Sequence, residues 1–325
     1  MNITMKKIFA ILSLATFTFT VNAQQQFQTS QYQENPYIIN PANAGVYNYI
    51  DISAGFRQQW AGMKNAPRTM FLSGSAPLGR RGMPKYNPSL RTGSRGPVQT
   101  PTISTGNLKH AVGGMVIMDE YGAFKHLQVM GSYAIHLPVM KGYNLSFGVS
   151  GGMSNYGFRE DRVDLLIDND QTYMNFLSGN PNTSYFDMNA GLLLYSNQLF
   201  IGYSSGQLLR NAIIGNNTKD FDLRMHHFIR GGYNIAVSRE LTVTPSFLLK
   251  HMSPAPMSFD ATVKVTYNRF IWGALSYRHG DAAIAMIGMN INDLFKFGYA
   301  FDFSINSLRP YNFGSHEITL GVTIK

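Results

Sequence analysis

The sequence predicts an all-β protein, a transmembrane antiparallel β-barrel of about 14 strands preceded by an N-terminal strap or plug segment. Three observations predict it. The chain opens with an export signal; segments of strand length alternate strictly between apolar and polar residues; and the composition is rich in aromatics and glycine but poor in charge. In 325 residues, 13% are aromatic, 31 are Gly, only 14% are charged and none is Cys.

Lys6 and Lys7 precede an apolar run from Ile8 to Phe19, which gives way to the small-residue site Val21-Asn22-Ala23. This is the pattern of a secretory signal peptide, expected as residues 1–23 with cleavage before Gln24. The competing assignment, a membrane anchor, needs roughly 20 apolar residues, more than this run supplies. No second apolar stretch is long enough to span as a helix, so a membrane location has to be built from strands. With no cysteine, neither a disulfide framework, nor a thiolate metal site, nor a lipidated Cys after the signal is available. The net charge of +9 would suit a nucleic-acid binder, but no basic helix accompanies it, and an exported chain rarely meets nucleic acid.

Alternation is clearest near the C-terminus. Phe295, Phe297, Tyr299, Phe301 and Phe303 interleave with Lys296, Gly298, Ala300 and Asp302. Phe259, Ala261, Val263, Val265 and Tyr267 oppose Asp260, Thr262, Lys264 and Thr266, and Ile318, Leu320, Val322 and Ile324 oppose Glu317, Thr319, Gly321 and Thr323. A period of two is the signature of strands. In a barrel the apolar face meets lipid and the polar face the lumen. A soluble sandwich would show the same period, but segments near ten residues, aromatic strand ends and the export signal favour the barrel. The segments fall at 46–57, 67–77, 108–118, 124–137, 142–158, 184–195, 197–204, 223–238, 239–251, 257–267, 268–278, 281–290, 293–303 and 313–325. The domain organisation is therefore a signal peptide at 1–23, a strap at 24–45 and a barrel at 46–325.

Connections test the count, because barrels alternate tight periplasmic turns with longer surface loops. The turns at 140–143, 196–197, 238–240, 268–269 and 291–293 are short and fall on one side; the connections at 159–183 and 205–222 are longer and fall on the other. One connection breaks the rule. Residues 79–107, periplasmic by parity, carry Arg80, Arg81, Lys85, Arg91 and Arg95 without a single acid. Clustered like charge attracts the opposite sign, so these five are candidate partner-binding residues for an acidic protein. The plainer alternative is a flexible insertion.

Two stretches at the start, QTSQYQENPYIINPANAG from Gln28 to Gly45 and FRQQWAGMKNAPRTMFLSGSAPL from Phe56 to Leu78, resemble the opening of the PorP/SprF family of outer-membrane proteins of the Bacteroidetes type IX secretion system. A third, GYAFDFSINSLRPYNFGSHEITL from Gly298 to Leu320, is similar to the family's closing strand pair. Gln33, Glu34 and Asn43 stand where the family tends to carry apolar or aromatic residues. The resemblance implies a 14-stranded barrel that supports secretion or surface attachment of proteins with a C-terminal targeting domain, including gliding adhesins. Its implied partners are other type IX components and the cargo's C-terminal domain, beside outer-membrane lipid and lipopolysaccharide, with no nucleic acid.

The motif residues have readable local roles. In Asn35-Pro36 and Asn40-Pro41, each proline pushes its predecessor away from helix, and Asn favours turns. With Tyr32, Tyr37, Ile38 and Ile39 interleaved and Gly45 closing the stretch, they predict a folded strap packed inside or beneath the barrel or offered to a partner. Trp60, Gly62 and Pro67 fall in the first surface loop, where Trp suits an interfacial girdle as well as a contact.

No enzymatic activity, cofactor or metal is expected. His226 and His227 open a strand, His279 lies near Asp281, and His316 follows Ser315, but neighbours in sequence do not make a triad. Glu160, Asp161, Asp164, Asp168 and Asp170 lack the spacing of a calcium loop. The competing function is a passive porin or small-molecule outer-membrane transporter, which shares the same alternation. Lys325 stands where many outer-membrane proteins end in an aromatic.

Overall fold

The computed structural model describes residues 27–79, 108–163, 170–178, 182–209, 224–291 and 294–324. The signal peptide assigned to residues 1–23, the basic candidates Arg80, Arg81, Lys85, Arg91 and Arg95, the acids Asp164 and Asp168, and Lys325 lie outside these residues.

The strands are β1 Ile50–Gln58, β2 Arg68–Leu78, β3 Lys109–Tyr121, β4 Phe124–Met140, β5 Tyr143–Phe158, β6 Thr183–Tyr195, β7 Leu199–Gly206, β8 His226–Tyr233, β9 Ile235–Ala236, β10 Leu241–His251, β11 Ser258–Tyr267, β12 Ile271–Arg278, β13 Ala282–Ile291, β14 Phe295–Ser304 and β15 Ser315–Ile324. Each pairs antiparallel with its neighbours, and β1 pairs with β15, so the sheet closes on itself. Closure removes the free edges that lipid cannot hydrate. β8 and β9 both pair with β10 in one continuous register, which makes them two pieces of a single stave and gives a 14-strand barrel. The break has a chemical cause. Pro245 faces Tyr233 in that register and has no N–H to give the ladder, and Asn234 bonds instead to Thr244 Oγ1, at 2.8 Å.

Several segment boundaries differ from the sequence expectation: β3 and β4 run on to Tyr121 and Met140, β12 starts only at Ile271, and three other differences have a visible cause. The first strand begins at Ile50 rather than 46, because Val46 to Tyr49 still carry the strap to the wall, with Tyr47 stacked on Tyr49 at 5.1 Å. The segment 223–238 is split as described, and the last strand starts at Ser315, since Phe313 and Gly314 belong to the preceding loop.

Ile50 lies opposite Ile324, so both ends of the barrel chain share one rim. The turns at 141–142, 196–198, 237–240 and 268–270 are at this rim, as are Leu78 and Lys109, which bracket the long basic connection. The longer connections 59–67, 159–182, 207–225 and 305–314 leave the opposite rim, which is accordingly the cell-surface side. Within one of them sits helix α1, Gln171–Ser178, capped by Asp170, whose Oδ1 accepts from the Thr172 and Tyr173 amides at 2.7 and 3.2 Å.

Outward positions are apolar and exposed, among them Phe56, Met70, Leu72, Val129, Phe147, Leu275, Phe297 and Leu320. The lumen departs from the simple polar expectation. Ala111, Met115, Ile117, Met130 and Ala134 point inward and form an apolar cluster with Tyr37, Ile38 and Ala44 of the strap. Trp272, Ile284, Met286 and Ala300 form a second inward cluster. A lumen filled by its own chain is a packed core, so inward positions that meet the strap can be apolar.

Candidate functional site

The strap traverses the lumen from the surface rim to the opposite one. Its first described residues reach the surface-side ends of β12, β14 and β15. Thr29 Oγ1 donates to Glu317 Oε1 at 2.7 Å, and the amides of Ser30 and Gln31 donate to the same carboxylate at 2.8 and 3.1 Å. Ser30 Oγ lies 2.8 Å from both Asp302 oxygens. Lower down, Tyr32 bonds to Thr262 at 3.1 Å, Gln33 to Ser246, Glu34 to Lys264, Asn35 to Ser73 at 2.7 Å and Tyr37 to Ser132 at 2.7 Å. Pro36–Ile38 and Pro41–Asn43 are single 3-10 turns with proline at the first position. Asn40 caps the second, its Oδ1 accepting from the Ala42 amide at 2.9 Å, and its Nδ2 donates to the backbone of Leu192 and Tyr203 at 3.0 and 3.2 Å. Near the far rim, Ser146 donates to Ala42 O and His136 Nε2 to Ala44 O, both at 2.8 Å. That assignment leaves His136 Nδ1 to accept from Tyr195 Oη at 2.8 Å.

Wall glycines make room for this path. A Cβ on Gly148 would meet the backbone of Pro41 and Ala42 at 2.4 to 2.6 Å, closer than side chains approach. Gly45 is required twice over: its φ is +64°, and a Cβ there would lie 2.3 Å from that of Ala111. Beside the strap are two cavities of about 20 Å³, each roomy enough for a water molecule and far too small for a polypeptide.

The surface end of the strap is held by buried charge. Arg57 reaches Asp302 at 2.7 Å, Glu317 at 3.2 Å and Ser30 Oγ at 3.0 Å. Arg278 bridges Asp260 and Asp302, both at 3.2 Å, and donates to Gln28 at 3.4 Å and Ser30 at 3.3 Å. Lys250 completes Asp260 at 3.2 Å, while Asp281 stands at the rim beside Arg278. The side chains of Arg57, Asp302, Glu317, Arg278 and Asp260 are at most 3% exposed. Removing Arg57 would leave Glu317 charged and dry with no counter-ion, at a cost of about 3–5 kcal/mol. Arg57 belongs to the FRQQW stretch, Asp302 and Glu317 to the C-terminal stretch, and Ser30 to the N-terminal one. The three stretches that resemble one family thus converge on one lock, at the seam where the first and last strands close the barrel.

The chain belongs to the PorP/SprF family. Its profile, described as type IX secretion system membrane protein PorP/SprF, matches residues 21–322. No curated protein matches the sequence. Among solved structures, the CymD monoaromatic hydrocarbon channel is similar over 89% of this chain and 91% of its own, with 9% identity and a TM-score of 0.50. The toluene transporter TbuX of Ralstonia pickettii covers 89% and 92% with 9% identity and a TM-score of 0.48. At such identity the likeness is one of fold. The protein is an outer-membrane β-barrel of a type IX secretion family.

In this PorP/SprF barrel, the motif residues Tyr32, Asn35, Pro36, Asn40, Pro41 and Gly45 all lie in the strap within the lumen. Trp60 and Gly62 are instead at the surface. The Trp60 amide donates to Ser315 Oγ at 3.0 Å, and Ala61 pairs with Phe313 and Gly314 through backbone bonds of 2.8 and 2.7 Å. Gly62 has φ +95°, and a Cβ there would strike the Phe313 ring at 2.6 Å. The first and last surface loops are thereby stitched above the seam. Ser315 and His316 face opposite sides of the wall: Ser315 is buried inward, whereas His316 bonds to Tyr299 at 2.8 Å. His227 likewise bonds to Tyr203 at 2.9 Å, and Asp281 to Arg278 and Asn306. Asp161 pairs with Arg159 at 3.0 Å, which holds its carboxyl below the usual range. Arg57, Asp260, Arg278, Asp302 and Glu317 were not singled out by sequence reasoning. Their signal was an ionisable residue on the inward face close to the surface end of five strands.

Proposed function

We propose that this barrel is a plugged outer-membrane platform of the type IX secretion system. It supports secretion or cell-surface attachment of proteins with a C-terminal targeting domain, gliding adhesins among them, and it does so by holding partners rather than by catalysis or by conducting solutes. The chain reaches the membrane after cleavage of residues 1–23. The observation that carries the reading is the strap-filled lumen: a barrel whose interior is occupied by its own chain, tied to the wall from rim to rim, offers protein surfaces at its ends rather than a route through its middle. Family membership supplies the secretion context. The basic connection 79–107, bracketed by Leu78 and Lys109 at the rim opposite the surface loops, is the docking segment for periplasmic components, with Arg80, Arg81, Lys85, Arg91 and Arg95 as its contacts.

The test is affinity purification in mild detergent from a native type IX-competent membrane, with mass spectrometry of what stays bound. Secretion components or a cargo C-terminal domain are expected with the wild type. Neutralising the five basic residues is expected to reduce their recovery several-fold with the barrel still assembled. A wild type that purifies alone and conducts ions in planar bilayers would contradict the reading and make the protein a porin.

A further inference from the structure

The outer wall changes character abruptly near the surface rim. Across β15, β1, β2, β3 and β4, one row of paired outward positions reads Leu320, Ala54, Leu72, Val116 and Val129, and the next row up reads Ile318, Phe56, Met70, Met118 and Leu127. Two residues higher, about 7 Å along the strands, the same positions are His316, Gln58, Arg68, Glu120 and Lys125. Lipid tails therefore end against the second row and headgroups begin at the third. The surface loop adds to this row from above: Arg162 reaches Glu120 at 2.9 Å and Arg159 at 3.6 Å. The loop is fixed there, because Arg159 N donates to Ala123 O at 2.8 Å and Asn65 Nδ2 to Arg162 O at 3.2 Å. Arg68 Nε donates to the neutral Gln58 Oε1 at 2.8 Å. Four cations, Arg68, Lys125, Arg159 and Arg162, thus outnumber the three carboxylates beside them, Glu120 on the wall and Glu160 and Asp161 in the loop turn, at the headgroup level of one sector of the wall.

We propose that this rim is a binding site for the phosphorylated glycolipid of the outer leaflet, with the sugar phosphates of lipid A held by Arg68, Lys125, Arg159 and Arg162. An excess of cations attracts phosphate, and guanidinium groups match its geometry with paired donors. The acyl chains of the same molecule lie on the apolar rows below, so one ligand satisfies both parts of the surface. Glu120 keeps the two loop arginines on the wall rather than over the barrel mouth. The proposal is independent of the secretion role and rests only on the outer-membrane location and the orientation of the rims.

The experiment uses delipidated, folded full-length protein in detergent, with bis-phosphorylated lipid A, dephosphorylated lipid A and phosphatidylglycerol as probes and native mass spectrometry as readout. Lipid A is expected to bind at least tenfold more tightly than its dephosphorylated form. The variant carrying Arg68→Gln, Lys125→Gln, Arg159→Gln and Arg162→Gln is expected to lose at least tenfold. Arg68→Glu alone, an exposed position that leaves the barrel intact by heat-modifiable migration, is expected to lose several-fold. Neutralising Arg239 and Arg269 at the opposite rim is expected to change nothing. Equal binding with and without the phosphates, or equal binding by wild type and variants, would overturn the proposal. A preference for phosphatidylglycerol over lipid A would overturn it too, by placing this rim against the inner leaflet.

Discussion

Replacing Arg57 with Met tests the lock most specifically. The side chain is 3% exposed and serves Asp302, Glu317 and Ser30 together. Without it, Asp302 retains Arg278 and Ser30, but Glu317 is left with neutral donors only, from Thr29, Ser30 and Gln31. A buried charge stripped of its counter-ion costs about 3–5 kcal/mol. Part of that strain is relieved if the strap end swings out and water enters, so the seated strap should lose roughly 2–3 kcal/mol relative to the unseated one, about 30- to 150-fold in the equilibrium. Amide hydrogen exchange at Ser30 and Gln31 reads this directly, because both amides are closed by Glu317. Exchange there is expected to accelerate by that factor while strand amides of β3 to β6 stay protected. Adding Glu317→Gln to Arg57→Met should recover much of the loss, since the orphaned charge is gone and the pair behaves as a coupled unit. Unchanged exchange in the single variant, with a folded barrel, would refute the electrostatic account of the lock.

Three further outcomes follow. Gly148→Leu drives a side chain into the backbone of Pro41 and Ala42 and should expel the middle of the strap, seen as protease cleavage between residues 36 and 44 that the wild type resists. Gly62→Val should displace the Phe313 ring and shift Trp60 emission without altering the buried Trp272, leaving barrel migration on gels unchanged. Thr262→Val removes the partner of Tyr32 while Ser276 still neighbours the site, and is expected to cost about 1 kcal/mol in strap seating, measured by the same exchange experiment.

The barrel was legible because alternation is a local property. The row from Phe295 to Phe303 declares its two faces within nine residues, and the tight turns follow from where such rows stop. Pro245 could also have been read as a ladder defect, although which neighbour it interrupts depends on the pairing register. The lock was not legible. Asp302 and Glu317 are visible as charges on inward faces, but that Arg57 and Arg278 stand at their height is set by strand stagger around a closed barrel, which no single segment encodes. The apolar inward residues Met115, Ile117 and Met130 depart from the polar-lumen expectation for the same reason: they pack against Tyr37 and Ile38, whose placement inside the lumen is a tertiary fact. The strap itself was readable as a turn-rich segment from its two Asn-Pro pairs, without a destination.

The central claim is that the strap occupies and closes the lumen. Planar-bilayer recording of the wild type beside a variant lacking residues 27–46 tests it most directly. The account predicts a silent wild type and steady conductance from the deletion; steady conductance from the intact wild type, unchanged by the deletion, would contradict it.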